Sequence, residues 1–367
     1  MVHLTYSLDF GGMEKHLEIL ARTAGDWEHR FCALTRGGAS ERLMRDAGAS
    51  VTILDCRPPA MGWLALRRTI EHLRRERPDA VHCHGFDANI IGIAAARLLR
   101  VPVRIAEEIG TAERSAKVRL VAAAAYRLAN RVIGVSDFVR DWLIASGSPR
   151  DRTMTLYNPV ILPTAAARPR RVGEPLRIGF VGRLEVVKNP LALVEAVAEL
   201  VADGIGVELL VVGEGSLRPA IERLVAERGL AGSVELAGYV EQPAALLETC
   251  HVYAQPSLTE GFGIALVEAM ACGLPALVTT TGGMVEIVEA ERSGWFLDSP
   301  RAASIAALLR TVAALDREIV AAMGREAKAS VASRFEPSHY VERIEALYAD
   351  VAEHRTLATQ TATMSGR

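Results

Sequence analysis

Lysine is scarce in this 367-residue sequence: Lys15, Lys117, Lys188 and Lys328 are the only four among 42 basic residues. Cysteine is scattered rather than patterned. Cys32, Cys56, Cys83, Cys250 and Cys272 form no CxxC pair and are odd in number, which argues against a zinc site or a disulfide framework and suits a reducing compartment. No stretch approaches the ~18 uninterrupted apolar residues of a membrane span. The N-terminus MVHLTYSLDFGG lacks a basic region followed by an apolar core, so the chain is expected to be cytoplasmic, neither secreted nor membrane-spanning. Net charge is also nearly absent, at −2, which argues against nucleic acid as a partner.

What is present is apolar bulk: half the residues are hydrophobic and 23% are charged, which excludes a disordered chain. The length suits two domains. Charge divides between them, since residues 1–165 carry 23 basic and 18 acidic groups and the remainder 19 and 26. Short β-leaning runs alternate with amphipathic ones, the pattern of parallel strands joined by crossover helices. Strands are expected at Val2–Ser7, His29–Leu34, Ser50–Leu54, Ala80–His84, Val103–Glu107 and Arg131–Val135, with helices such as Glu14–Ala24 and Trp63–Arg75 between them. The segment LPTAAARPRRVGEP breaks the rhythm with three prolines and three arginines. A second series follows, at Leu176–Val181, Val207–Val212, Val234–Ala237, Val252–Gln255 and Ala276–Thr279. The expected architecture is α/β, with a Rossmann-like domain over 1–162, a linker over 163–175 and a second Rossmann-like domain over 176–339. A helix at about 340–355 precedes a polar tail expected to fray.

In open α/β sheets ligands bind beyond the carboxyl ends of the strands. The turn after Leu176–Val181 reads GRLEVVKNP, with Asn189 as a candidate N-cap, Pro190 at the first helical position, and Arg183 and Lys188 flanking a helix N-terminus suited to a diphosphate. With so few lysines in the chain, one at this turn is notable. The turn after Gln255 carries Glu260, the glycines Gly261 and Gly263, and a helix from about Ile264 to Gly273 that contains Glu268. A wholly helical interval would separate the two glutamates by about 12 Å, comparable to the span from sugar to ribose in a nucleotide-sugar.

EGFGIALVEAMACGLP resembles the E-x7-E signature of retaining GT-B nucleotide-sugar glycosyltransferases, glycosyltransferase family 4. GGMEKHL, DAVHCHG, VIGVSDFVRDWL, FVGRLEVVKNP and TTGGMVEIV follow the family's order across nearly the whole chain. The resemblance implies two domains facing each other across a cleft, with the C-terminal helix crossing back to the first. It implies transfer of a sugar from a UDP- or GDP-sugar to an acceptor hydroxyl, with retention of configuration and no metal or other cofactor. Arg183 and Lys188 would neutralise the donor diphosphate, Glu268 would bind the ribose, and Glu260 with the backbone of Gly261, Phe262, Gly263 and Ile264 would hold the sugar. Gly11 and Gly12 would border the donor phosphate and the acceptor. His84 would contact the donor sugar. It is expected on the face of its strand opposite His82, unless the strand ends between them, and His82 is expected to be structural. Glu14, Glu107 and Glu108 are acceptor-side candidates, Glu107 and Glu108 being solvated strand ends in the alternative. The acceptor itself, whether glycan, lipid-linked sugar or small molecule, is not specified.

The chain departs from the family pattern at Pro159 after Asn158, at His251 where aspartate is common, and at Met284 where proline is frequent. Gly213-Glu214-Gly215 opens like a dinucleotide fingerprint, but Arg218 stands where the third glycine belongs. Arg67, Arg68, Arg74, Arg75 and Arg77 around Trp63, Leu64 and Leu66 form either a solvated helix face or a peripheral contact with anionic lipid at the inner membrane face. A nucleotide-sugar epimerase and a non-catalytic two-lobed sugar-binding protein are the alternative functions.

Overall fold

The computed structural model describes every residue except 10, 24, 57–60, 112–114, 164–165 and 366–367, and the side chains of all of these but Met61 and 354–365. The expected helix end at Ala24 and part of the expected linker fall outside the described residues. The chain forms two compact units, one of Met1–Pro159 with Pro337–Arg367, the other of Val160–Glu336.

In the first unit the order is β1 (Val2–Leu8), α1 (Gly12–Arg22), β2 (Arg30–Gly37), α2 (Ala39–Asp46), β3 (Ser50–Ile53), α3 (Met61–Glu76), β4 (Ala80–His84), α4 (Phe86–Leu98), β5 (Val103–Glu108), α5 (Ala116–Leu128), β6 (Arg131–Gly134), α6 (Asp137–Ala145) and β7 (Thr153–Thr155). Its sheet runs β3-β2-β1-β4-β5-β6-β7, every pair parallel. Helices cover both faces of such a sheet, so the central strands bury both sides; all of β4 and β5 is buried.

The second unit continues with β8 (Leu176–Val181), α7 (Pro190–Ala202), β9 (Val207–Val212), α8 (Arg218–Glu227), β10 (Val234–Gly238), α9 (Ala244–Leu247), β11 (Val252–Gln255), α10 (Ile264–Ala271), β12 (Ala276–Thr279), α11 (Met284–Ile287), β13 (Gly294–Leu297), α12 (Ala302–Ala314) and α13 (Arg317–Ala332). The parallel sheet order is β10-β9-β8-β11-β12-β13. Two strands escape the sequence reading, β7 (TMT), which is short and polar, and β13 (GWFL), which begins on glycine.

The last helix, α14 (Pro337–Ser365), belongs to the first unit. Its backbone is helical through Ser365, where fraying was expected. Tyr340, Val341, Ile344, Tyr348 and Val351 lie on one stripe and join the core of that unit. At ~1.5–3 kcal/mol for each large apolar side chain buried, the stripe contributes on the order of 10 kcal/mol as an upper bound.

Candidate functional site

The loop after β8 carries Arg183 and Lys188 and is braced by the loop after β9. A Cβ on Gly213 would stand 1.9 Å from the Gly182 carbonyl oxygen, and one on Gly215 would stand 2.5 Å from that of Leu184. The glycines that resembled a dinucleotide fingerprint therefore let two backbones press together. Leu184 N–H donates to Glu214 O at 2.9 Å, Leu217 N–H donates to Leu184 O at 2.8 Å, and the Glu185 carboxylate accepts from the backbone and hydroxyl of Ser216. Asn189 does not cap α7 with its side chain, as the sequence suggested. It is left-handed (φ +57°), and its amide instead donates to Pro256 O at 3.2 Å and Pro300 O at 2.7 Å, tying the β8 loop to the loops after β11 and β13.

That tie brings Lys188 onto Glu260, and the two side chains form an ion pair, each less than one-fifth exposed. Gln255, the last residue of β11, donates from Nε2 to the same Glu260 oxygen at 2.6 Å. The Tyr253 hydroxyl lies 3.0 Å from Gln255 Oε1 and 3.1 Å from Val181 O. Burial, with the Glu260 charge nearby, holds that phenol well above its ordinary pKa. Tyr253, Gln255, Glu260 and Lys188 thus form one polar chain across the carboxyl ends of β8 and β11. Glu260 is fixed from its main chain too, because its carbonyl accepts from Gly283 N–H at 3.1 Å. At Gly282 (φ +62°) a Cβ would lie 1.7 Å from that carbonyl, so the TTGGM segment needs glycine there to reach Glu260.

Gly261, Phe262 and Gly263 are loop, with Gly263 at φ +112° before α10 begins at Ile264. Only the second half of the Glu260–Glu268 interval is helical, so Glu268 stands about 6 Å along the axis from Ile264, and the 12 Å estimate does not hold. Phe262 is buried edge-on against Phe335 at 5.3 Å. Arg183 is exposed and forms no ion pair with a described residue. Tyr253, Gln255 and Gly282 were missed in the sequence, although a glutamine closing an otherwise apolar strand was a signal.

In the first unit, Gly11 precedes α1, which starts at Gly12, and the Glu14 carboxylate lies over Gly11, 2.6 Å from where a Cβ would be. Glu14 is buried, which raises its pKa. His84 lies on the same face of β4 as His82, not the opposite one: residues two apart on a continuous strand share a face, and the two rings are 4.0 Å apart. Neither Glu107 nor Glu108 is a solvated strand end; both are buried. Glu108 accepts from Asn89 Nδ2 and the Tyr126 hydroxyl, each at 2.9 Å. Glu107 lies 2.7 Å from His84 Nδ1, 3.1 Å from His82 Nε2 and 3.7 Å from His16 Nδ1, contacts short of well-aligned hydrogen bonds. Burial alone would raise its pKa, but these histidines more than offset that and hold the carboxyl well below its usual range.

With Glu107 ionised, His84 Nδ1 and His82 Nε2 must present protons to it. Each neutral imidazole has one N–H, so His84 Nε2 accepts from His3 Nδ1 (2.9 Å), His3 Nε2 accepts from His29 Nδ1 (2.7 Å), and His82 Nδ1 accepts from the Tyr348 hydroxyl (2.7 Å). Burial lowers the pKa of His16 and of His84 to about 4. The ligand atoms of His3, His82 and His84, and of His16, His84 and Glu107, lie within 4.8 Å of one another. The His3–His84 spacing of 2.9 Å is that of a shared proton, shorter than the ~3.3 Å between two nitrogens bound ~2.05 Å from a tetrahedral zinc.

Along α3, Arg67 pairs with Glu71 at 3.1 Å, Arg68 donates to Asp55 O at 2.9 Å, and Trp63 is 78% exposed. Among the described residues, no helix is long and apolar enough to cross a membrane.

Two family sequence models match the chain, "Glycosyltransferase Family 4" over residues 10–162 and "Glycosyl transferases group 1" over residues 164–330. A D-inositol 3-phosphate glycosyltransferase of Acidothermus cellulolyticus is 31% identical over 322 residues, covering 77% of this chain and 69% of that protein. The putative colanic acid biosynthesis glycosyltransferase WcaL of Escherichia coli is 28% identical over 219 residues, covering 57% of this chain and 54% of its own length. The chain thus spans about half the length of the latter relative. Among solved structures, Anabaena HepE in complex with UDP superposes with a TM-score of 0.84 at 21% identity, covering 95% of this chain and 99% of that one. A glycosyltransferase from Rickettsia africae superposes with a TM-score of 0.79 at 16% identity, covering 95% and 98%.

Proposed function

The chain belongs to glycosyltransferase family 4 and has the GT-B fold, and from that premise we propose that it moves a sugar from a nucleoside-diphosphate-sugar to an acceptor hydroxyl. The observation that carries this is the contact of Lys188 with Glu260 at the carboxyl ends of β8 and β11. A cation suited to phosphate beside a carboxylate suited to sugar hydroxyls is the order of groups in a sugar diphosphate. The two side chains satisfy each other; a donor would part them, taking Lys188 on its diphosphate and Glu260 on its sugar.

In the transfer, the bond from the anomeric carbon to the diphosphate oxygen breaks and a bond to the acceptor oxygen forms. Charge grows on the leaving diphosphate, and Lys188, Arg183 and the N-terminus of α10 would stabilise it electrostatically, with no metal called on. The acceptor proton passes to a donor phosphate oxygen, and configuration is retained. Gln255 and Tyr253 position Glu260, and Glu268 takes the ribose. In the first unit Gly11, Gly12 and Glu14 border the acceptor. His84, oriented by Glu107 at the end of β4, would contact the donor sugar. A UDP-sugar is the first candidate, supported by the solved complexes of HepE with UDP and with UDP-glucose. The acceptor would be a hydroxyl of a glycan, lipid-linked sugar or small polyol, met in the cytoplasm or at the inner membrane face.

A thermal-shift panel of UDP, GDP, ADP and their sugar conjugates tests the donor class. One nucleotide should raise Tm in the wild type and not in Lys188→Ala. A panel without any shift, or equal shifts in both proteins, would contradict the assignment.

A further inference from the structure

A cavity in the Val160–Glu336 unit lies at the opposite end of its sheet from the Lys188–Glu260 pair. It has a volume of about 240 Å³. Its walls include His251, which immediately precedes β11, and Cys272 and Gly273, which precede β12, so it sits at the amino ends of strands whose carboxyl ends carry the donor loops. The four residues of β11 alone put about 13 Å between the two places.

The walls are basic. One face of α13 presents Arg317, Ala321, Arg325 and Lys328, spaced by four, four and three residues, and the small Ala321 leaves room between the longer side chains. Opposite them are Arg168 and Arg170. Arg317 and Arg325 form no ion pair with a described residue. Arg170 spends its donors on the carbonyl oxygens of Glu174 (2.8 Å) and Ala313 (3.1 Å), which leaves its charge uncancelled by them. Arg168 grips the Glu174 carboxylate with both terminal nitrogens. These cations gather on the half of the chain that is acidic overall, so they do not follow from its composition.

The floor holds a buried donor. His251 has only 2% of its side chain exposed, and its Nδ1 accepts the Arg177 backbone N–H at 3.0 Å. Burial lowers the pKa of this imidazole to about 4, so it is neutral with its proton on Nε2. That Nε2 has no hydrogen-bond partner; the nearest carboxylate oxygen, on Glu174, is 3.8 Å away and already held by Arg168. An unpartnered buried N–H costs free energy that an incoming acceptor would recover. A carboxylate at this position would oppose an anion, whereas a neutral N–H donor admits one.

We propose that this cavity binds a phosphate group, held by Arg317, Arg325, Arg170 and Lys328 and accepting a hydrogen bond from His251 Nε2. The cavity falls short of the ~300–1,000 Å³ of drug-sized sites, so the ligand is a small phosphorylated metabolite, free phosphate, or the headgroup of an anionic lipid entering from solvent. Ala167 N–H donates to the Cys272 carbonyl at 2.6 Å, and Cys272 closes α10, whose other end starts at the Glu260 loop. An occupied cavity would therefore brace both the 166–170 segment and the helix that carries Glu268.

The test is calorimetric titration of the full chain with inorganic phosphate and with glycerol 3-phosphate, alongside sedimentation with neutral vesicles and with vesicles containing phosphatidylglycerol. Saturable binding is expected in the wild type and in Lys188→Ala, which removes the donor cradle only. It should weaken about tenfold or more in Arg317→Ala/Arg325→Ala and in His251→Asp. Binding to phosphatidylglycerol vesicles alone, lost in the same variants, would identify the lipid headgroup as the source. Absence of binding to every probe overturns the proposal, as does affinity unchanged in the double arginine variant or abolished by Lys188→Ala.

Discussion

Acidification from pH 7 to pH 5 should loosen the first unit more than the second. The groups involved face one another from five elements and a loop: His3 on β1, His16 on α1, His82 and His84 on β4, Glu107 on β5, Tyr340 and Tyr348 on α14, and His29 ahead of β2. His16 and His84 have folded pKa values of about 4 against 6.5 for a free imidazole. A base whose folded pKa is depressed is protonated first in the unfolded chain. Its contribution is therefore complete above pH 6.5 and drains as pH falls from 6.5 towards 4. From 6.5 to 5 is 1.5 pH units, and at about 1.4 kcal/mol per unit each histidine loses about 2 kcal/mol, so the two together lose about 4 kcal/mol. Glu107, also depressed, contributes above its unfolded value and drains only at lower pH, outside this window. Because the two units need not unfold together, the assay is hydrogen exchange read by mass spectrometry, corrected for the intrinsic pH dependence of exchange. The amides of Ala80–His84 and Val103–Glu108 should lose about 4 kcal/mol of protection or more, against about 2 kcal/mol for Val207–Val212 in the other sheet, whose unit holds the single comparably depressed imidazole described above, His251. His16→Phe should reduce the pH effect without abolishing it, because burial also holds His3, His29 and His82 below their ordinary range. Equal protection at pH 7 and 5, or the same loss in Val207–Val212, would refute the reasoning.

Other outcomes follow from the same contacts. Gln255→Leu should cut kcat/KM by about 10- to 100-fold with the fold intact, since Glu260 loses its positioning donor, and circular dichroism with steady-state kinetics checks both parts. Gly282→Ala should destabilise the second unit by about 1–3 kcal/mol in urea titration, because it combines a left-handed backbone with a 1.7 Å clash on the Glu260 carbonyl. Tyr348→Phe should cost about 1–3 kcal/mol by leaving His82 Nδ1 buried without its donor, and nitrogen chemical shifts should show the Nδ1 signal moving while the proton stays on Nε2 towards Glu107.

The alternation of strands and helices was plain in the sequence because strands such as β9 and β12 are largely apolar runs buried along nearly their whole length. The run VELLVV could be nothing else, and its bounds, like those of LRIGFV, match residue for residue. TMT at Thr153–Thr155 was illegible because three polar-leaning residues become a strand only by pairing with β6. At the site, residue types were readable and partnerships were not. Lys188 and Glu260 are 72 positions apart, and long-range ties between their loops bring them together, from the Asn189 amide to Pro256 O and from Leu258 N–H to Val187 O. Glu107 at a strand end looked solvated because nothing local announced the histidines reaching it from β4 and α1. His82 and His84, by contrast, share a face by the period-two rule alone, and that much was available from spacing.

The most direct measurement is acceptor-dependent release of nucleoside diphosphate from a panel of UDP-, GDP- and ADP-sugars, with and without EDTA, by the wild type and by Lys188→Ala. Turnover of one donor by the wild type, unaffected by EDTA and lost in the variant, is the predicted result. Near-normal turnover by Lys188→Ala, or consumption of donor without any acceptor, would contradict transfer through the Lys188–Glu260 cradle.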